Sequence, residues 1–221
     1  MHTQGVELFD GSVLGDAFRI LGRDRRGYVA TNILFFVSIV LGMQVGISNP
    51  ELQEELTKRI GDAFLGGATW HIISMLQSGN WISAILSIFV LNLFLGSLVY
   101  LTLPGIIFFA GVPLLLSMRG VIWGIVYSPT SSELAHLLLF AIPTMVLEGE
   151  AYCLIGYASF KAGKSWLVPH EIDQLRLGRR AAFRNALSEL VRVYTLAVLV
   201  LLLAAVVEVA AIALSAIMLT D

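Results

Sequence analysis

Four ionisable side chains interrupt otherwise apolar stretches of the chain: Arg119 in GVPLLLSMRGVIWGIVY, Glu148 and Glu150 in PTMVLEGEAYCLIGYASFKAG, and Glu208 within Thr195–Leu219. A guanidinium and carboxylates at such places can pair with one another, hold a proton or a cation, or act as acid and base. Each costs on the order of 2.5–3.5 kcal/mol to place ionised near a bilayer centre, so each calls for a partner. If consecutive spans run in opposite directions, Arg119 and Glu148 come to similar depths, which predicts an ion pair from Arg119 to Glu148 or Glu150. Glu208 is the rival acid. Glu148 and Glu150 point about 200° apart on an undistorted helix, so both cannot meet one partner. Asn92 and Thr144 are the nearest candidates for extending this polar cluster, together with Ser97, Thr102 and Ser117. That is a thin lining for a transport path.

The surroundings decide which chemistry is open. Of 221 residues 57% are hydrophobic and only 14% charged, where soluble domains carry about a quarter. Uncharged runs such as Thr31–Ser48 and Trp81–Met118 reach the roughly 18–20 residues a helix needs to cross a bilayer. The fold class is therefore all-α, a polytopic transmembrane bundle forming one membrane domain over residues 1–221. About five spans are expected: Tyr28–Gly46, Trp81–Leu103, Ile106–Tyr127, Glu133–Phe160 and Tyr194–Leu219. Trp81, Tyr100 and Tyr127 read as interfacial anchors. Gly120 beside Arg119 suits close helix approach, and Gly149 between the two glutamates suits a local break.

Orientation follows from the basic residues. Arg19, Arg23, Arg25 and Arg26 precede the first span, and Lys161, Lys164, Arg176, Arg179, Arg180, Arg184 and Arg192 separate the last two. Segments 1–27 and 161–193 are expected in the cytoplasm, and the acidic segment 48–80 outside. Five crossings then leave the C-terminus extracytoplasmic. The N-terminus has no apolar core after its first residues, so no cleavable signal peptide is expected. In the outer segment Leu52, Leu56, Ile60 and Phe64 share one helix face. In the inner segment Ile172, Leu175, Phe183, Leu187, Leu190 and Tyr194 form an approximate stripe beside Arg176, Arg179, Arg180 and Arg184. Such a basic amphipathic helix suits an anionic leaflet or the underside of its own bundle.

Several chemistries find no support in the residues. There is no GxSxG, HExxH or complete phosphate loop, and AGKS at Ala162–Ser165 lacks the upstream glycine. The four histidines show no ligand spacing, and the single Cys153 can form no intramolecular disulfide. No cofactor, no metal and no nucleic-acid partner is expected, and the chain reads as a non-enzyme. Its expected partners are the lipid bilayer and other membrane protein subunits, in a homo- or hetero-oligomer.

The stretch from Phe89 to Gly163 resembles the stage II sporulation protein M family. FVLNLFLG places Asn92 on a family asparagine, and Gly105, Gly120 and Gly124 in LPGIIFFAGVPLLLSMRGVIWG suit its glycine-bearing hairpin. PTMVLEGEAYCLIGYASFKAG aligns Pro143, Glu148, Ala151 and Gly156 with a Pro-His-Gly-x-x-Glu-x-x-Ala pattern and the glycine-containing helix after it. Thr144 stands where that pattern has histidine, Met145 where it has glycine, and Arg119 where an asparagine commonly precedes the glycine. The resemblance implies a membrane scaffold of the kind that localises cell-wall hydrolases during engulfment in spore formers. The sequence thus favours a non-enzymatic membrane scaffold or accessory subunit with Arg/Glu groups fixing helix packing. The alternative is a permease-like or channel-forming subunit using Glu148 or Glu150 for a cation or proton.

Overall fold

The computed structural model describes residues 13–65, 68–168 and 178–218, and among these it is helical with no strand. The elements are α1 (Val13–Arg23), α2 (Arg25–Ser48), α3 (Pro50–Leu65), α4 (Ala68–Gln77) and α5 (Trp81–Leu91), then a π-helical stretch (Asn92–Thr102). There follow α6 (Leu103–Ile107), α7 (Gly111–Val126), α8 (Ser132–Leu167) and α9 (Arg179–Met218). Four stretches are long and apolar enough to cross a membrane: Arg25–Ser48, Trp81–Ile107, Leu134–Leu167 and Arg179–Ser215. α7 is apolar but has only 16 residues, hence about 24 Å of length against a hydrocarbon core of about 30 Å.

The bundle forms around α8. Every residue from Ala151 to Ser159 is buried, because α2, α7, α9 and the π-helical stretch all pack against this helix. Its sequence permits that, since small residues (Ala151, Ala158, Ala162) alternate with larger ones that fill the gaps. α9 returns alongside α8 and offers Ala182, Ala186, Leu190, Val193, Ala197 and Leu201 as its buried seam. Pro143 lies inside α8 without ending it, as membrane helices tolerate when neighbours satisfy the freed carbonyl.

The α2–α7 pair explains how a helix as short as α7 is held. Glycines at i, i+4 spacing on both helices line the contact: Gly42 of α2 meets Gly124 of α7, Gly46 lies against Ile125 and Ser128, and Gly120 lies against Phe35 and Ser38. A methyl on Gly42 would run into the Val121 carbonyl, and one on Gly124 into the Ile39 carbonyl. A Cβ on Gly120 would lie 2.8 Å from the Phe35 carbonyl oxygen. Backbone meets backbone here, so no side chain larger than hydrogen fits.

Several boundaries differ from the sequence reading. The second span does not stop at Leu103 but runs on to Ile107: the π-helical stretch leads straight into α6, with the Leu103 N–H bonded to the Leu98 carbonyl, and Pro104 lies within this run without ending it. The turn comes instead at Phe108–Ala110. Within the basic segment 161–193 the described residues continue the two flanking spans. α8 extends through Leu167 and α9 begins at Arg179, so both spans continue into it; Arg176, Ile172 and Leu175 lie outside the described residues. Arg179, Arg180 and Arg184 are exposed on the opening turns of α9, and Leu187 of the expected stripe is exposed while Ala182 and Ala186 are buried. On the opposite side α3 buries Gln53 rather than Leu52. The Gln53 amide donates to the Val126 carbonyl (3.3 Å) and the Ser128 carbonyl (3.0 Å), and its oxygen accepts from Thr130 (2.6 Å). Carbonyls left over at the end of short α7 are what draw a polar side chain inward.

Candidate functional site

Arg119, Tyr152 and Glu148 meet in the middle of the bundle. Tyr152 and Glu148 are four apart on α8 and so share a face, which α8 turns toward α7. The Arg119 Nη2 donates to the Tyr152 hydroxyl at 2.6 Å and stands 3.5 Å from the Glu148 Oε1. The Tyr152 hydroxyl in turn donates to the same carboxylate oxygen. The phenol is wholly buried and links the two charges.

Aromatic rings enclose the cation. The guanidinium carbon lies 3.7 Å from the Tyr152 ring centroid, 5.2 Å from that of Trp123 and 5.7 Å from that of Tyr100. Trp123 is four residues from Arg119 on α7, and its ring also meets Tyr152 and Phe35 edge-on. A guanidinium over desolvated rings gains on the order of 2 kcal/mol from the best of them, which offsets part of the cost of leaving water. Tyr100, expected as an interfacial anchor, is half-buried and its hydroxyl donates to the Leu115 carbonyl at 3.2 Å. It belongs to the π-helical stretch, whose Gly96 lies against the Tyr152 ring; a Cβ there would come 2.7 Å from the hydroxyl. The wider π turn thus brings both a ring and a bare backbone to the cluster, in keeping with the frequent presence of π turns at functional sites.

The other expected residues divide. Glu150 is half-buried on the far side of α8, with no cation within ion-pair distance among the described residues. Glu208 makes no ion pair with Arg119, although it lies within electrostatic reach of Glu148. Thr144, one turn before Glu148, is buried, and its hydroxyl has no partner; the Arg119 Nε is also buried without one. Asn92 contributes its carbonyl, which accepts from Ser97 at 3.0 Å. Among the glycines, Gly149 seats the Phe35 ring (2.6 Å from a would-be Cβ) and leaves α8 unbroken. Gly105 lies against Val112 and Ser159, and Gly156 against Leu116. Tyr152, Trp123 and Gln53 escaped sequence reading. The first two carry a legible signal, four residues from a buried charge.

A second polar group sits at the basic end. Asp24 caps α2 by accepting from the Gly27 N–H at 3.2 Å, and its other oxygen accepts from the Tyr157 hydroxyl at 3.0 Å. Glu189 on α9 pairs with both Arg23 and Lys161, the latter at 3.4 Å.

Several apolar spanning helices packed around one buried polar cluster define a multi-pass helical membrane protein. The family model for stage II sporulation protein M matches residues 31–211, and the chain belongs to that family. The match extends well beyond Phe89–Gly163, taking in most of α2 and most of α9. No curated protein and no solved structure matches the chain.

Proposed function

We propose that the chain is a non-enzymatic membrane scaffold or accessory subunit in which the Arg119–Tyr152–Glu148 group fixes the register of α7 against α8. The observation carrying this reading is the enclosure of Arg119. Three rings surround the cation and a hydroxyl shared with Glu148 takes up one of its nitrogens. The large cavity at the basic end has none of these three residues in its lining. A charge wrapped in this way suits specifying one arrangement of packed helices better than exchanging ligands, since an apolar replacement would be about as stable but would not name a single register. The exposed apolar faces of α2, α5 and α9 would serve lipid and partner subunits.

The test is Arg119→Leu, followed by thermal melting and by native electrophoresis of gently solubilised membranes. Loss of the slow-migrating assembly together with a lower melting temperature is expected. An unaltered assembly that melts at the original temperature would refute the role. A second reading, a cation- or proton-binding subunit, draws on the unpartnered Thr144 hydroxyl one turn from Glu148. Under that reading Glu148→Gln abolishes flux in proteoliposomes while leaving assembly intact.

A further inference from the structure

A cavity of about 710 Å³ opens between α2, α7, α8 and α9 at the basic end of the bundle, and its lining changes character along its length. At one end stand Arg23, Asp24, Lys161, Lys164 and Glu189, with Phe160 beside Lys161 on α8; farther along lie Leu34, Leu116 and Gly156. Asp24 and Leu34 lie ten residues apart on one run of helix, so the cavity extends about 15 Å along α2. That is half the roughly 30 Å hydrocarbon thickness, the depth of a single leaflet.

The polar end has an excess of donors. Both oxygens of Asp24 are engaged, by Gly27 and by Tyr157, and Glu189 is shared between Arg23 and Lys161. Arg23 and Lys161 together bring about eight N–H donors to the one carboxylate they share. Surplus N–H groups at the mouth of a helix-lined opening suit a phosphate, and basic pockets between membrane helices are places where anionic headgroups bind. The apolar limb distinguishes a lipid from a free anion: Leu34 is more than a third exposed, presenting uncovered apolar surface along the wall.

We propose that this cavity holds one anionic phospholipid from the leaflet at the basic end, with its phosphate at Arg23 and Lys161 and an acyl chain against Leu34, Leu116 and Phe160. The volume falls within the range of specific small-molecule sites, about 300–1,000 Å³.

The test uses full-length protein in detergent, stripped of lipid and titrated with phosphatidylglycerol, phosphatidylcholine or glycerol 3-phosphate, read by native mass spectrometry and thermal melting. One retained phosphatidylglycerol with a raised melting temperature is expected, and little effect of the other two. Ala30→Trp fills the limb from an exposed position on α2 and should weaken phosphatidylglycerol retention roughly tenfold or more without lowering the lipid-free melting temperature. Equal stabilisation by phosphatidylcholine, full stabilisation by glycerol 3-phosphate, or undiminished retention in Ala30→Trp would each overturn the proposal. Should Ala30→Trp fail to fold, Lys161→Gln decides: a headgroup preference changed by less than about threefold refutes it.

Discussion

Arg119 and Glu148 are both largely removed from solvent, so taking away either leaves a buried charge without its opposite. Such losses cost about 3–5 kcal/mol, whereas replacing both by apolar residues of similar volume can be close to neutral. Arg119→Leu and Glu148→Leu should therefore each lower the melting temperature strongly, with the double variant recovering much of the loss. A double-mutant cycle by thermal or denaturant unfolding measures this, and strictly additive losses would contradict the pairing. Tyr152→Phe keeps the ring beneath the guanidinium but removes the hydroxyl linking it to the carboxylate. Its expected cost is about 1–3 kcal/mol, that of leaving buried polar groups under-bonded, and it should be smaller than the cost of Arg119→Leu in the same assay.

Element packing rests on different residues. α7 is held to α2 by glycines on both helices that let backbone meet backbone, so Gly124→Leu should separate the two helices while leaving the ionic cluster chemically intact. Cysteine crosslinking between α2 and α7 in a Cys153→Ser background reads this directly; an unchanged crosslinking yield would argue against backbone contact as the holding interaction. Gln53 acts at the other end of α7, where it occupies the carbonyls of Val126 and Ser128. Gln53→Ala is expected to cost about 1–3 kcal/mol and to expose α3 to limited proteolysis before the spans melt. The asymmetry is physical: α7 is too short for the bilayer, so something must complete the end next to Tyr127.

At the scale of the whole molecule the uneven distribution of charge sets the expected orientation, with the ends bearing Arg23–Arg26 and Lys161–Arg192 in the cytoplasm. Cys153 is buried, so single cysteines introduced at Asn49, Asn80 or Pro129 should react with a membrane-impermeant maleimide in intact cells, and those at Asp24 or Gly178 only after permeabilisation. The reverse pattern would invert the topology.

Composition and charge spacing alone determined an all-helical membrane bundle with Arg119 and Glu148 as the groups needing explanation, because hydrophobic runs and lone charges in them are penalties that any fold must answer. Which acid answers Arg119 was not decided there. Glu148, Glu150 and Glu208 are equivalent on a linear map, and only the rotation of α8 about its axis, set by close packing on α7 and α9, turns Glu148 with Tyr152 inward and Glu150 away. The glycine pairs of α2 and α7 were present as spacing, but their partners lie some eighty residues apart, and spacing within one helix does not name the helix opposite. The basic segment likewise read as an amphipathic helix, on an anionic leaflet or under its own bundle, because its charges repeat with a helical period. Tertiary packing instead drew its alanines inward as the first turns of α9, since a seam of small residues against α8 allows closer approach than the apolar stripe would.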